Sequence, residues 1–173
     1  MPRTRHDVAR DAKVDEIVEA ARARLLDGGA AHLSVAAIAR ELGLAQAAVY
    51  WYFPTRDHLF VAAVERILHD VLARKPRAGT TLDHVLWIAD RLDEVQDLRM
   101  ALRERAKASE LVAAFDRDVH ALLRVLLVNA LPPGVDDDGV DAFMALCEGV
   151  LLQHLGRRRR REVLRLGYER LVG

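Results

Sequence analysis

Apolar residues in this chain recur every three or four positions from one end to the other, and nowhere do they alternate for long. That period is the mark of α-helices that each turn one face to a core, whereas a half-buried strand needs a period of two. Val14, Ile17, Val18, Ala21 and Leu25 make the first stripe, closed by Gly28-Gly29, a natural helix stop. Ser34 is placed to cap a second helix with Ile38 and Leu42 on its inner face, and Gly43 ends it. "QAAVYWY" follows as a short third helix, closed by Pro54, because proline pushes its predecessor out of the helical region. Thr55 is expected to cap a fourth, with Asp57 in its first turn, where a negative charge suits the helix dipole. Residues 74–81, "RKPRAGTT", hold no large apolar side chain and form the expected boundary. Beyond it, helices are expected over Leu82–Leu92, Leu98–Arg105 and Leu111–Ala130. After the break at "PPGVDDDG" comes a broad stripe of Val140, Phe143, Met144, Cys147, Val150, Leu151 and His154, then a last helix through "RRREVLRLGYERLV". The expected fold class is all-α, with eight to nine helices.

A chain of 173 residues can bury a real core. Its 26 basic and 26 acidic residues balance, so composition alone does not point to nucleic acid, and any such surface must be a local arrangement. The single cysteine, Cys147, cannot form an internal disulfide, which fits a reducing cytoplasm. The opening "MPRTRHDVARDAK" is charged, so no secretory leader is expected, and no segment is apolar enough to span a bilayer.

Tyr50, Trp51, Tyr52 and Phe53 are four consecutive aromatics, and side chains in a row on a helix point around most of the cylinder. Some of these rings must therefore face water. Helix, Gly turn, short helix at 34–53 is the order of a helix-turn-helix, in which the second helix enters the major groove of DNA. Gln46 can read adenine with two hydrogen bonds, and the small Ala47 and Ala48 allow a close approach and contact with thymine methyls. Tyr50 and Tyr52 can donate hydroxyls to phosphates, and Trp51 can stack or cover thymine methyls. Val49 and Phe53 read as core. Gln46 to Thr55 holds no acidic residue, and Arg3, Arg5 and Arg10 form a basic arm that could reach DNA or simply fray.

Residues 33–60, "LSVAAIARELGLAQAAVYWYFPTRDHLF", resemble the N-terminal signature of the TetR family of bacterial repressors. Ser34, Ile38-Ala39, Gly43, Tyr50, Tyr52-Phe53, Arg56 and Leu59 fall in register with it, and the wording from Gln46 to Trp51 is similar to the tetracycline repressor branch. The resemblance covers about a third of the chain. It implies a three-helix DNA-binding unit at 1–54, a connecting helix at 55–75, and a helical ligand-binding and dimerisation bundle at 76–173. It implies phosphate contacts from Ser34, Tyr50, Tyr52 and Arg56, and base contacts from Gln46, Ala47, Ala48 and Trp51. Two positions depart from the pattern: Ala45 offers no capping oxygen where the family has Ser or Thr, and Ala47 replaces Gly or Pro.

The same resemblance implies a ligand pocket among the middle helices. Trp87, Ile88, Phe115, Met144 and Cys147 are its apolar candidates, with plain core as the alternative for each. His84, Arg91 and His120 would orient polar groups. An apolar or aromatic small-molecule effector is expected. The implied partners are a palindromic DNA operator and a second copy of the chain, joined through the C-terminal helices, with no membrane association. The expected activity is that of a ligand-released repressor. An activator on the same fold and a helical scaffold without DNA binding are the other readings.

No enzyme is expected, and no catalytic residue, cofactor or metal ligand. Ser34 and Ser109 are the only serines, no glycine-rich phosphate loop occurs, and the seven histidines lack metal-ligand spacing. Arg157–Arg161 cannot all share one helix face, so solvation is the default, with pairing to Asp136–Asp138 of a second subunit as the alternative.

Overall fold

The computed structural model describes residues 5–74, 76, 78–153 and 155–172. Among them the chain is all-helical: α1 (Arg5–Gly28), a 3-10 turn (Gly29–His32), α2 (Val35–Glu41), α3 (Gln46–Tyr52), α4 (Arg56–Ala73), α5 (Thr81–Glu94), α6 (Gln96–Ala106), α7 (Glu110–Val128), α8 (Asp137–Leu152) and α9 (Arg157–Val172). Arg3 and His154, and the side chain of Arg5, lie outside what is described.

Contacts divide the chain into two compact units. The first takes residues up to Ala73 together with Asp97–Phe115, and the second takes Arg74–Gln96 together with the chain from Asp116 onward.

In the first unit α1 lies along α4, and α2 packs on α3. Ile17, Val18, Ala21 and Leu25 of α1 are buried, as the stripe requires, with Leu59, Phe60, Ala63, Val64 and Ile67 of α4. Each fully buried Ile, Leu or Phe contributes about 1.5–3 kcal/mol by leaving water. Arg22 to Asp70 (2.9 Å) and Arg66 to Asp15 (2.5 Å) tie the two helices along the rim. Asp97–Phe115 lies beyond the expected boundary in sequence yet belongs to this unit. Leu98, Leu102 and Val112 are buried, Arg105 pairs with Asp57 at the start of α4, and its guanidinium lies 4.8 Å over the Phe60 ring.

The α2–α3 turn follows from one residue. Gly43 has φ +65°, a conformation that costs a residue with a Cβ roughly 1–2 kcal/mol. With Gly43 so placed, Leu44 N–H donates to the Ala39 carbonyl (2.8 Å) and Gly43 N–H to Arg40 (3.3 Å), the paired bonds of a Schellman stop. The start of α2 is closed by the Ser34 hydroxyl, which accepts from Ala37 N–H (3.3 Å), and the start of α4 by Thr55, which accepts from His58 N–H (3.3 Å). By contrast, α3 begins at Ala45 with no side-chain cap, although the Ala45 backbone (φ −69°, ψ 141°) already has a capping conformation.

In the second unit α8 packs on α9, and α5 packs on both. Val85, Leu127, Val140, Phe143 and Met144 form one buried cluster, and Leu86, Ala89, Val150 and Leu164 another. α5 opens on a reciprocal capping box: Thr80 accepts from Asp83 N–H (3.1 Å) while Asp83 accepts from Thr80 N–H (2.9 Å). α8 is capped by Asp136, which accepts from Gly139 N–H (2.8 Å).

Two outcomes are expected. Ala45→Ser supplies the missing acceptor to a backbone that needs no rearrangement, so denaturant unfolding should show a gain of about 0.5–1 kcal/mol. The second concerns Asp57. Burial pushes its carboxyl up, but hydrogen bonds from Arg105 and Ser109 and the nearby arginine charges outweigh that and hold it below its ordinary value of 3.8. A carboxylate so held contributes stability in full above its unfolded pKa and loses it as pH falls through the lower folded value. The stability gap between the parent and Asp57→Asn should be level above about pH 5 and close on acidification below about pH 4. A gap that stays constant down to about pH 2 would show that nothing holds the carboxylate.

Candidate nucleic-acid interface

Only seven residues make up α3, and they divide sharply. Val49 is fully buried and Phe53, just past the helix, is 8% exposed; these two pin the helix to its unit. Gln46 and Ala47 are exposed, Ala48 and Tyr52 are half-buried, Tyr50 is 40% exposed and Trp51 65% exposed. Four consecutive rings thus separate into one anchor, one half-covered tyrosine and two rings turned to solvent. Trp51 therefore takes no part in the core and is turned to solvent. No acidic side chain stands between Gln46 and Thr55, so the exposed face of α3 carries no negative charge of its own.

Trp51 is not free on that surface. Tyr52 meets it edge-on, with ring centroids 4.7 Å apart at 86°, and the Arg10 guanidinium lies 5.3 Å from its ring centroid. Nothing in the spacing of residues 10 and 51 foretells that contact. Of the other predicted contact residues, Ser34 is exposed at the start of α2 while its hydroxyl caps the helix. Arg56 is exposed too, but its guanidinium donates to the Ala30 carbonyl (2.8 Å) of the 3-10 turn, so part of its donor set holds the fold. Sequence reasoning missed this bond, which joins residues 26 positions apart.

The predicted ligand residues stand in different settings. Ile88, Met144 and Cys147 pack in the core of the second unit, Met144 only 9% exposed. Trp87 is half-buried on α5. Beside it Arg91 pairs with Glu94, and His84 keeps a buried Nε2 that has no hydrogen-bond partner among the described residues. His120 is exposed, 3.6 Å from Glu148. Phe115 falls in the first unit. An open cavity of about 550 Å³ lies along α9, lined by Arg158, Arg161, Glu162, Arg165, Leu166 and Glu169.

The arginine run needs a correction. It is not simply solvated: Arg160 is 4% exposed and holds Asp93 at 2.6 Å. Asp90, itself buried, meets Arg157 at 2.8 Å, Arg161 at 3.7 Å and Arg160 at 3.8 Å. Arg158 and Arg159 reach Glu162 at 3.0 and 3.4 Å. Of the acidic run, Asp137 is paired within the chain by Arg124 at 2.7 Å and Asp136 caps α8. The helical period brings α9 arginines over α5 acids some 67 positions earlier, a match that no local reading reveals. Among the described residues no group of His, Cys, Asp and Glu is placed to hold a metal ion, and no helix is long and apolar enough to cross a membrane.

Comparison with known proteins bears on both units. Residues 17–63 match the family model described as "Bacterial regulatory proteins, tetR family". An HTH-type transcriptional regulator of Mycobacterium tuberculosis is 43% identical over 70 residues, which is 40% of this chain and 30% of the relative, so this chain spans less than a third of that relative's length in the match. Among solved structures, a TetR transcription regulator of Haloarcula marismortui has a TM-score of 0.74 at 18% identity, covering 93% of this chain and 98% of its own. The multidrug binding protein EbrR complexed with proflavin has a TM-score of 0.65 at 22% identity, covering 90% and 99%. These two likenesses show a shared all-helical fold. The helix, Schellman turn and exposed short helix stand inside the matched residues 17–63, so the likeness to the tetR family model rests on this segment.

Proposed function

We propose that the chain is a DNA-binding transcriptional regulator, a homodimeric repressor released from a palindromic operator by a small molecule. One observation carries this reading: the outward face of α3, where Gln46, Ala47, Tyr50 and Trp51 stand exposed while Val49 and Phe53 are buried. A major groove admits one such helix. In this reading Gln46, Ala47, Ala48 and Trp51 meet base edges. Ser34, Tyr50, Tyr52 and the donors of Arg56 not spent on Ala30 meet phosphates and set the register. Residues 1–54 read DNA, 55–75 connect, and 76–173 bind effector and dimerise in the cytoplasm. The protein acts by binding rather than by catalysis.

A two-fold arrangement is supported by the outer face of α9. About a dyad between Val163 and Leu164, antiparallel copies would set Arg158 against Glu169, Glu162 against Arg165 and Arg161 against Leu166. All six residues line the same groove, and Leu166 is 56% exposed. Such a face is self-complementary, as an isologous contact must be. An aromatic effector is supported by the half-buried Trp87 on α5 and by the proflavin bound to EbrR, a protein of the same fold. Release requires that the effector favour a dimer whose two reading heads are wrongly spaced; a coupling of about 1–3 kcal/mol is typical.

Selection of duplex DNA from a random pool tests the reading, and a two-fold symmetric consensus is the expected result. Gln46→Ala should relax choice at one base pair in each half-site, at a cost of about 1–3 kcal/mol, and the same consensus recovered with the same stringency would remove Gln46 as a reader. For the dimer, Arg165→Glu should weaken self-association in sedimentation more than Arg165→Ala does, by about 0.2–1 kcal/mol for each of two symmetric pairs. Unchanged sedimentation would remove α9 from the interface.

A further inference from the structure

Between Ala9 and Glu16 no described side chain of α1 is fully buried. Ala9, Arg10, Asp11 and Ala12 are exposed, and the first buried side chain is Ile17. Yet this stretch delivers a guanidinium to the outward face of α3, 5.3 Å from the centroid of the Trp51 ring. The opposite constraint comes from Tyr52, whose ring is set at 86° to the indole, 4.7 Å away. A ring that is 65% exposed would ordinarily exchange rotamers in solvent, and ordering it on binding costs free energy. Here the indole has a cation on one face and an aromatic neighbour at its edge before any partner arrives.

We infer that Arg10 is a positioning residue for the reading head. It holds the Trp51 indole in one orientation and brings a positive charge onto the same face of α3. The inference rests on the DNA-binding function proposed above and extends its recognition surface to a helix outside the helix-turn-helix. At 5.3 Å from the ring centroid the guanidinium is within cation–π reach, and arginine suits the role because its guanidinium is more weakly hydrated than a lysine ammonium.

The contact is tested on the free protein first. In a Trp87→Phe background Trp51 is the sole tryptophan, because the chain has only two. Arg10→Ala should increase acrylamide quenching of Trp51 fluorescence and lower its anisotropy, with Arg10→Lys in between. Against the duplex enriched from a random pool, Arg10→Ala should lose about two- to fivefold in affinity, the equivalent of an exposed cation–π contact, and should broaden the base preference. Unchanged quenching in Arg10→Ala would overturn the inference. So would tighter DNA binding, which would mean that Arg10 shields the indole instead of presenting it. A uniform loss on all duplexes with unaltered quenching would reduce Arg10 to a phosphate contact and overturn it as well. A parent that enriches no duplex would remove the DNA reading itself, and quenching would still decide whether Arg10 holds Trp51.

Discussion

The left-handed backbone at Gly43 is the constraint on which the exposed face of α3 depends. It permits the paired hydrogen bonds that stop α2 at Leu42 and turn the chain at once into α3. A longer loop would leave α3 unanchored, because two buried side chains, Val49 and Phe53, could not hold a seven-residue helix by themselves. With the turn rigid, those two suffice. The remaining positions of α3 are then released from the core, and three aromatics in succession can be spared for other work.

Much of this is visible in the residues alone. The stripe on α1, the Ser34 and Thr55 caps and the Gly43 stop are local patterns, and local patterns survive into the fold because each is decided within a few residues. The exposed Trp51 follows from counting: four adjacent rings cannot share one face. What the sequence hides is contact between distant segments. Arg56 on the Ala30 carbonyl, Arg105 on Asp57 and Arg10 on Trp51 each join positions that no period relates. The return of Asp97–Phe115 to the first unit is of the same kind. An apolar stripe marks burial, and burial serves core and pocket alike, so Ile88, Met144 and Cys147 could be placed inside without being placed in a site.

Zero net charge proves compatible with a face free of negative charge. Acidic residues of the first unit are engaged elsewhere: Asp15 with Arg66, Asp70 with Arg22, Glu41 with Arg24, Asp57 with Arg105. Each pair is worth little to stability at the surface. They also engage these carboxylates with arginines, while the stretch between Gln46 and Thr55 holds no acidic residue of its own. Bulk composition averages over this arrangement and cannot report it.

Asp90 and Arg160 are both nearly excluded from solvent, and a buried pair behaves asymmetrically. Exchanging both for apolar residues of similar volume can be nearly neutral, whereas removing the Asp90 carboxylate leaves the buried Arg160 with Asp93 alone, and a buried charge left short of partners costs up to roughly 3–5 kcal/mol. Arg157 and Arg161 also lean on the same carboxylate, so the burden of an altered Asp90 would fall on three cations at once. The stretch that looks in sequence like an interchangeable run of arginines is therefore made of unequal members. Arg158 and Arg159 pair with Glu162 of their own helix, while residue 160 is tied to Asp90 and Asp93 on another helix.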